Sequence, residues 1–446
     1  MAAPEPSLNP LARELNEQLA ASAPEILAML SPLGRRLYFP KGILSQAAEA
    51  KQKAHRFNAT IGIATEKGRA MHLASVQSHL RDISPDDAFT YAPASGRPSL
   101  RERWREKQLE ENPSLRGKAV GLPIVTAALT HGLSLVGDLF VGAGDVIVIP
   151  DQLWGNYRLT YEVRLGARIA TFPFYAGSGF DTAGFANALA ENAKGREKLM
   201  VLLNFPNNPT GYTPTEAEGK AMVAALAAQA ERGTKLVVVL DDAYFGLFYH
   251  LGGPSLTESL FGRLANLPPN LLAIKLDGAT KELFVWGLRC GFLCFGPGRA
   301  EGAAAVCAAL EAKVKGAIRG GISNSPQLSQ TLVERALAAS SVDAERKEKC
   351  ELLRVRAQKV YEVANAPRFR GSWDVYPFNS GYFMCVKLKG VEAERLRVHL
   401  LDAHQTGLVA TAKYDLRVAF SCLEVEQIEP LFETVHLGIQ ELRGAK

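Results

Sequence analysis

The sequence has little net charge and no long apolar segment, and each absence argues against a class of function. Its 51 lysines and arginines nearly balance 46 aspartates and glutamates, and the net charge of +5 is scattered along the chain. We therefore expect no nucleic-acid partner. No apolar run reaches the length of a membrane span, and the first residues show no charged-then-apolar signal pattern. These absences predict no membrane partner and a cytoplasmic location.

Clustered cysteine is also lacking. The six cysteines form no CxxC motif and no cluster with histidine, so neither a metal site nor a disulfide framework is predicted. Most of them lie in apolar surroundings, which is typical of reduced, buried thiols. They are Cys290, Cys294, Cys307, Cys350, Cys385 and Cys422.

From about residue 120 to residue 296 the sequence alternates between apolar, strand-like runs and helical patterns. This alternation predicts βαβ units and a mostly parallel sheet in an α/β protein. At 446 residues the chain is too long for one ordinary small domain. The predicted strands lie at 124–129, 145–150, 168–174, 199–205, 235–241, 271–276 and 291–296, and a helix is predicted at 214–232.

The two flanks of this region differ from it and predict a second, smaller α/β domain. Helical patterns cover 11–31, 341–365 and 424–443, and strand-like runs lie at 382–388 and 415–420. The predicted division is an N-terminal segment that belongs to the small domain (1–60), a large domain (61–335) and the C-terminal part of the small domain (336–446).

The ends of three predicted strands carry unusual polar residues, and ligands of parallel sheets bind at such ends. One strand runs into NFPNNPTG at 204–211, a stiff turn rich in asparagine and proline. The next ends at Asp241, whose carboxylate needs a cationic partner if buried, although a helix N-cap explains it about as well. Lys281 and Arg289 follow the third, where a solvated lysine is the simplest interpretation of Lys281 alone. Together, an acid, an amine and donors for a phenolate and a phosphate predict a pyridoxal phosphate (PLP) site.

These motifs resemble those of class I aminotransferases of PLP fold type I, with aspartate aminotransferases the nearest pattern. The resemblance runs from about residue 58 to the C-terminus. It implies that Lys281 forms the Schiff base with the cofactor and that Asp241 pairs with the pyridinium nitrogen. Asn208 of Asn-Pro-Thr-Gly and Tyr244 would donate to the phenolic oxygen, and Arg289, eight residues after the lysine, would bind the phosphate.

Further cofactor contacts follow from the same resemblance. Trp154 looks like the aromatic residue that stacks on the cofactor ring. The turn Thr130-His131-Gly132-Leu133 falls where backbone amides at a helix start meet the phosphate, which gives Gly132 and Leu133 as cofactor-binding residues. Tyr91 resembles the tyrosine that reaches the phosphate of the neighbouring subunit, so a homodimer with shared active sites is implied.

Three positions concern the substrate. Arg417 in LRVAF matches the arginine that holds the substrate α-carboxylate, a task suited to a planar guanidinium. Gly62 matches a backbone contact to the same carboxylate, while Trp154 and Asn208 also border the substrate. Arg319, followed by Ser323-Asn324, resembles the arginine that reaches into the partner's site and grips the side-chain carboxylate of aspartate or glutamate. A solvated residue in a basic patch with Lys313 and Lys315 is the alternative for Arg319.

The sequence departs from the aspartate aminotransferase pattern at several positions. Gly278 stands where a phosphate-binding serine is usual, and Tyr157 replaces a histidine that backs the aspartate. The other departures are His131, Leu133, Phe284 and Cys290, with Ser134 as another source of a hydroxyl. They bear on how the phosphate is bound rather than on the identity of the cofactor.

The resemblance implies an aminotransferase that moves an amino group between an amino acid, aspartate or glutamate, and a 2-oxo acid. Lys281 would move the proton, and Arg417 would orient the substrate so that its C–H bond is broken. The fold alone leaves other PLP enzymes open, namely a C–S lyase or an aromatic or broad-specificity aminotransferase. A non-enzymatic homologue is a further alternative, but we expect it to have lost Lys281 or Asp241.

Overall fold

The computed structural model describes residues 8–40 and 42–444. Residues 1–7, 41, 445 and 446, which fall in the predicted small domain, lie outside this part. The strands are β1 (Phe57–Asn58), β2 (Thr65–Glu66), β3 (Arg69–Ala70), β4 (Ile124–Thr126), β5 (Val146–Pro150), β6 (Arg168–Phe172), β7 (Tyr175–Ala176), β8 (Gly179–Phe180), β9 (Lys198–Asn204), β10 (Lys235–Asp241), β11 (Leu271–Gly278), β12 (Gly291–Pro297), β13 (Trp373–Val375), β14 (Phe383–Leu388), β15 (Thr406–Gly407), β16 (Val409–Ala410) and β17 (Asp415–Ala419).

Helices surround these strands, and short 3-10 and π segments connect them. The α-helices are α1 (Pro10–Ser22), α2 (Pro24–Met29), α3 (Pro32–Arg36), α4 (Ile43–Lys53), α5 (Ala74–Ser78), α6 (Pro85–Phe89), α7 (Pro98–Glu111), α8 (Ala128–Phe140), α9 (Thr182–Ala193), α10 (Glu216–Glu231), α11 (Phe261–Leu264), α12 (Ala279–Glu282), α13 (Ala303–Gly321), α14 (Gln327–Ala338), α15 (Val342–Ala364), α16 (Ala393–His404) and α17 (Val425–Gly444). The 3-10 segments are Pro113–Leu115, Trp286–Leu288, Pro367–Phe369 and Phe420–Cys422, and Arg158–Val163 is a π segment. No described helix is both long enough and apolar enough to cross a bilayer.

The large sheet has seven strands in the order β4-β12-β11-β10-β9-β5-β6. Every neighbouring pair is parallel except the two that include β12. The prediction of a mostly parallel α/β sheet is therefore confirmed. All seven predicted strands are present, and the largest difference is at β4, which ends at Thr126 because the chain turns into α8 at Ala128.

Both faces of this sheet are buried, which explains why its strands are apolar throughout rather than alternating. On β9, Leu199, Val201 and Leu203 pack on one face with residues of α9 and α10. Met200 and Leu202 face the opposite side, against residues of α8 and α13. The sheet is thus the middle layer of three, and only the strand ends are open for a ligand.

A second sheet, in the order β13-β14-β17-β16, is antiparallel throughout. The N-terminal part of the chain joins this region, because β1 pairs in parallel with β15 through Phe57 and Thr406. Ala59 extends this contact, since its carbonyl accepts a hydrogen bond from Ala419 N. The segment that leads to Gly62 is thereby attached to the smaller sheet. The boundaries at residues 60 and 335 stay a prediction.

Candidate active site

A cavity of about 320 Å³ lies at the carboxyl ends of β9, β10 and β11. It is the crevice where parallel sheets bind ligands, and it brings together eight of the twelve predicted site residues. These eight are Gly62, Trp154, Asn208, Asp241, Tyr244, Lys281, Arg289 and Arg417. The other lining residues are Ile43, Ala128, Leu129, Thr130, Tyr157, Asn204, Ala243, Thr280 and Phe383.

Lys281 lies on the short helix α12, directly after β11. Its Nζ donates a 2.6 Å hydrogen bond to the carbonyl oxygen of Gly62 and lies 5.0 Å from the centre of the Tyr244 ring. Burial, with the positive charges of Arg289 and Arg417, lowers the pKa of the Lys281 amine to about 7. A large share of the amine is therefore in the neutral, nucleophilic form near neutral pH, whereas an ordinary lysine is almost fully protonated there.

Asp241 ends β10, and its carboxylate is buried at the base of the cavity. Tyr157 Oη donates a 2.6 Å hydrogen bond to Oδ2, and the backbone amide of Ala243 donates to Oδ1 at 3.1 Å. Burial raises the pKa of Asp241 to about 6, although the Tyr157 hydroxyl opposes the rise. Tyr157 thus occupies the backing position at which the sequence departs from the usual histidine.

The Asn-Pro-Thr-Gly loop is fixed by the side chain of Asn204, at the end of β9, and by a close contact between its glycine and β14. Asn204 Nδ2 donates to the carbonyl of Asp241, and Asn204 Oδ1 accepts from the backbone amide of Asn208. Gly211 has a φ of +73°, and a Cβ there would lie 2.0 Å from the carbonyl oxygen of Phe383. Only glycine fits this contact, which locks the loop that presents the Asn208 amide to the cavity.

Arg417 is 1% exposed and lies on β17, where it pairs with Cys385 of β14. Its Nη1 donates to Asn208 Oδ1 at 3.1 Å, its Nη2 donates to the carbonyl of Thr60 at 2.8 Å, and its guanidinium lies over the Phe383 ring. Within the described residues its Nε has no partner, and no carboxylate forms a salt bridge with it. A buried arginine without an acid is a strong indication of an anionic ligand.

Arg289 and Thr280 supply polar groups on the other side of Lys281. Arg289 has a left-handed φ of +52°, and its Nη1 donates to the carbonyl of Trp286. The buried Thr280 hydroxyl has no hydrogen-bond partner among the described residues. The departure at Gly278 is steric, because a Cβ there would lie 2.8 Å from the Cys290 carbonyl oxygen. A serine does not fit at that point, and Thr280 offers a hydroxyl instead.

The start of α8 differs from the sequence interpretation. The helix begins at Ala128, which has a left-handed φ of +63°. Ala128, Leu129 and Thr130 therefore line the cavity, whereas Gly132 and Leu133 lie buried in the next turn and do not. Gly132 packs against Leu276, since a Cβ there would lie 2.8 Å from Leu276 Cδ2. The sequence placed the turn too late because no glycine marks its true position.

His131 has a structural part in the same turn. Its Nδ1 accepts a 3.1 Å hydrogen bond from the backbone amide of Ala127, which lies directly before α8. Burial lowers the pKa of His131, so the neutral imidazole that this acceptor role requires is favoured. Ser134 lies one turn further along α8 and does not line the cavity.

Trp154 and Tyr244 form aromatic walls. Trp154, in the loop after β5, is half-buried and contacts Tyr157 edge-on at a centroid distance of 5.5 Å. Tyr244 is buried, and its ring packs edge-on against Phe383 at 5.5 Å. Phe383 was not among the predicted residues, since an apolar residue that opens a strand carries no sequence signal of a ligand.

Tyr91 and Arg319 lie outside the cavity of their own chain. Tyr91 is 89% exposed in the loop between α6 and α7. Arg319 is exposed in the last turn of α13, and its Nη1 donates a 2.7 Å hydrogen bond to Ser323 Oγ. Neither side chain can take part in catalysis within one subunit at these positions.

Comparison with known proteins identifies the family to which this chain belongs. A family model described as aminotransferase class I and II matches residues 64–435. The chain belongs to this family.

Individual relatives agree with this assignment. Aspartate aminotransferase from Musicola paradisiaca is 28% identical over 208 residues, which are 46% of this chain and 47% of the relative. The chain thus spans about half the length of the curated relatives it matches. An aminotransferase structure from Anaerococcus prevotii superimposes with a TM-score of 0.81 at 22% identity, covering 92% of this chain and 99% of the other. A multiple substrate aminotransferase from Thermococcus profundus gives a TM-score of 0.77 at 16% identity, covering 94% and 99%.

The residues that line the cavity fit the cofactor that this family uses. PLP offers a ring nitrogen, an aldehyde and a phosphate, and the cavity offers an acid, a neutral amine and a cation. The unpartnered Thr280 hydroxyl and the first amides of α8 are additional donors for a phosphate. The Asp241 carboxylate is buried and forms no salt bridge within residues 8–40 and 42–444, and a protonated ring nitrogen would supply a cationic partner.

Proposed function

We propose that this protein is a PLP-dependent aminotransferase that exchanges an amino group between an amino acid and a 2-oxo acid. The observation that carries the proposal is the cavity itself: Arg417, which is buried without a salt bridge to any described carboxylate, shares it with Lys281, whose pKa is lowered to about 7, and with the buried Asp241. The reaction requires a cation that binds the substrate carboxylate, a base that moves the proton and an acid that pairs with the cofactor ring nitrogen.

The cofactor, when bound, acts as the electron sink that makes the substrate α-proton acidic. Lys281 would hold it covalently and, once released by substrate, carry the proton. Asp241, kept in orientation by Tyr157, would keep the ring nitrogen protonated. Asn208 and Tyr244 would donate to the phenolic oxygen, and Trp154 would cover the ring. Arg289, Thr280 and the first residues of α8 would hold the phosphate. They take the role that the sequence interpretation assigned to Gly132 and Leu133.

Arg417 and Gly62 would bind the substrate α-carboxylate. The two Arg417 nitrogens now bound to Asn208 and the Thr60 carbonyl show that the guanidinium lies within reach of this face of the cavity. Its Nε has no hydrogen-bond partner in the part of the chain that the structure describes. A carboxylate would satisfy this donor and neutralise the buried charge at the same time.

Covalent attachment of PLP tests the first step independently of turnover. The protein loaded with PLP is reduced with borohydride, digested and mapped by mass spectrometry. We expect one pyridoxyl-labelled peptide, the one that contains Lys281, and no label in Lys281→Ala. Lys275, which lies on β11 and is fully buried in an ion pair with Asp242, is an internal control that should stay unlabelled. A label on another lysine would overturn the assignment.

A substrate panel tests the reaction class. An aminotransferase forms a 2-oxo acid catalytically only when an amino acceptor is present, whereas a C–S lyase releases pyruvate without one. We expect a strict requirement for the acceptor. Arg417→Gln should lower kcat/KM by roughly 30-fold or more, since a buried charge pair is lost. Turnover of a cysteine conjugate without acceptor would assign the protein to the lyases.

We further propose that the substrate is a dicarboxylate, aspartate or glutamate, and that Arg319 binds its side-chain carboxylate from the partner subunit. The proposal is supported by the Arg-x3-Ser-Asn spacing and by the position of Arg319 at an exposed helix end. Among the described residues no carboxylate pairs with Arg319, and Ser323 orients its guanidinium. The relatives named aspartate aminotransferase are consistent with this choice.

Arg319→Ala should lower kcat/KM for aspartate by roughly 30-fold or more, which corresponds to the loss of one partner of a charge pair. The loss for phenylalanine should be much smaller. Lys315→Ala, four residues earlier on the same helix, is the matched control and should leave both substrates unaffected. Equal losses for both substrates in Arg319→Ala would favour a broad or aromatic specificity instead.

The same proposal includes a homodimer in the cytoplasm, in which Tyr91 of each chain reaches the phosphate in the other. The exposure of Tyr91 and of its neighbour Phe89, at 89% and 83%, supports a partner at this surface. A partner would bury these rings. Residues 61–335 would form the large PLP-binding domain, with 1–60 and 336–446 forming the small one.

A further inference from the structure

Three potential metal ligands converge on the side of the molecule formed by α16 and α17. His399 and His404 lie on α16, and Glu441 lies in the last part of α17. Glu441 Oε2 is 2.6 Å from His399 Nε2 and 2.7 Å from His404 Nε2, and all candidate ligand atoms lie within 4.8 Å of one another. None of the three lines the active-site cavity.

We propose that His399, His404 and Glu441 bind a divalent transition-metal ion such as Zn²⁺. Two imidazoles and one carboxylate form a donor set that suits Zn²⁺, Ni²⁺ and Cu²⁺, whereas Mg²⁺ and Ca²⁺ prefer oxygen ligands alone. Three protein ligands leave a fourth tetrahedral position for water. No sequence motif indicates the site, because the ligands lie on two separate helices.

The arrangement needs only a small adjustment to accept an ion. Ligand atoms about 2.1 Å from a tetrahedral zinc lie about 3.4 Å from each other, so the carboxylate must withdraw by roughly 0.7 Å. Glu441 can do this, because its side chain is 39% exposed, while the His399 and His404 side chains are 27% and 14% exposed. The imidazoles are therefore the fixed ligands, and the carboxylate is the adaptable one.

The hydrogen bonding of the cluster is compatible with metal binding. Within residues 8–40 and 42–444, the Nδ1 atoms of His399 and His404 bond to no protein group, so Nδ1 can carry the ring proton while Nε2 binds the ion. In the same part of the chain, Glu441 makes salt bridges only to these histidines, so no lysine or arginine occupies the position of the ion. Arg443 is directed elsewhere, to the carbonyls of Gly371 and Lys389.

An ion at this point would join α16 to α17. His404 is the last residue of α16, and its carbonyl accepts a hydrogen bond from Thr406 Oγ1 at the start of β15. Metal binding to the folded state alone would therefore stabilise this part of the protein by mass action. No effect on the chemistry of the cavity is expected.

Zinc binding to the PLP-loaded full-length protein is measured by isothermal titration calorimetry, with Co²⁺ absorption as a probe of coordination. We expect one site in the wild type and a dissociation constant at least about tenfold weaker in His399→Gln, His404→Gln and Glu441→Gln. His55→Gln, an exposed histidine outside the cluster, is the control and should bind as the wild type does.

Thermal unfolding gives the second measurement. Zn²⁺ should raise the Tm of the wild type and of His55→Gln but not of the three cluster variants. Far-UV circular dichroism and PLP absorbance verify that each variant is folded. Absence of zinc binding to the wild type, or equal affinity in the cluster variants, would overturn the proposal and leave a hydrogen-bonded His-Glu-His cluster.

Discussion

Lys281 and Asp241 carry pKa values shifted in opposite directions by the same cause. Burial lowers the pKa of the amine to about 7 and raises that of the carboxyl to about 6, so burial shifts each group towards its neutral form. Perturbed values of this kind concentrate at functional sites. A cationic ring nitrogen beside Asp241 would reverse its shift, which makes the acid selective for a protonated ring.

The lowered pKa of Lys281 predicts how the apoprotein captures PLP. Only the neutral amine attacks the aldehyde, so the capture rate should rise with pH, reach half its limit near pH 7 and level off above about pH 8. Stopped-flow absorbance at fixed PLP concentration measures this profile. An ordinary lysine would keep gaining rate up to about pH 10, and such a profile would contradict the shift.

Tyr157→Phe removes the 2.6 Å hydrogen bond to Asp241 Oδ2 while keeping the ring. Hydrogen bonds to charged groups contribute about 1.5–3 kcal/mol, so kcat should fall by roughly 10- to 100-fold. PLP should remain covalently bound, which spectrophotometry can verify. Tyr161→Phe, whose hydroxyl bonds to the Leu133 carbonyl rather than to Asp241, is the control. Similar losses in both variants would mean that packing, not this hydrogen bond, is responsible.

Single site residues could be predicted from the sequence when they lie directly after a predicted strand. Asp241, Lys281 and Asn208 follow apolar runs and were assigned on that ground. Thr280 was missed because a threonine beside a lysine is unremarkable until its hydroxyl is seen to be buried without a partner. The partner-dependent positions, Tyr91 and Arg319, were assigned only by family resemblance.

Among the structural elements, the strands of the large sheet were predictable because burial on both faces makes each a continuous apolar run. The start of α8 was not, since Ala128 adopts a left-handed φ that sequence reasoning expects of glycine. The proposed phosphate-binding turn was consequently assigned to Gly132 and Leu133, whereas Ala128, Leu129 and Thr130 are the residues of α8 that line the cavity. The two-residue pairing of β1 with β15 was also not predicted, although the N-terminal segment was expected to belong to the small domain.

The close contact between the loop at 204–211 and β14 can be tested by a substitution at Gly211. Gly211→Ala combines a left-handed φ with a Cβ 2.0 Å from the Phe383 carbonyl oxygen, so we expect a loss of more than about 3 kcal/mol of unfolding free energy. Gly144→Ala has a similar φ of +82° with open space around the Cβ, and should cost only about 1–2 kcal/mol. Denaturant unfolding measures both variants. Equal losses of unfolding free energy would show that the protein relieves the close contact with β14 in Gly211→Ala.

On the scale of the whole molecule, the cavity is assembled from distant parts of the chain. Ile43 and Gly62 come from the N-terminal region, Asp241 and Lys281 from the large sheet, and Arg417 from the smaller sheet. A movement between the two sheets would therefore change the distance between Lys281, the proposed cofactor lysine, and Arg417, the proposed substrate-binding arginine. The proposed partner contacts would add a second subunit to this assembly.

Mixed dimers test that addition. Lys281→Ala and Arg319→Ala chains, each with little activity towards aspartate, are unfolded, mixed in equal amounts and refolded. If Arg319 acts in the partner's site, half of the dimers are hybrids with one intact site, and about a quarter of wild-type activity should return. If Arg319 acts in its own chain, no intact site can form and no activity should return. That result would contradict the shared site. Sedimentation confirms the oligomeric state.

The pairing of β1 with β15 has a consequence for synthesis on the ribosome. Phe57 and its partner Thr406 are about 350 residues apart, and translation at about 5–20 residues per second separates their emergence by roughly 20–70 s. During that interval the nascent chain can form the large sheet with Lys281 in place, but the segment before Gly62 has no strand to pair with, and Arg417 has not been made. The proposed cofactor site therefore exists before Arg417, the proposed substrate-binding group, and the cavity is closed only after residues 406–419 have left the exit tunnel.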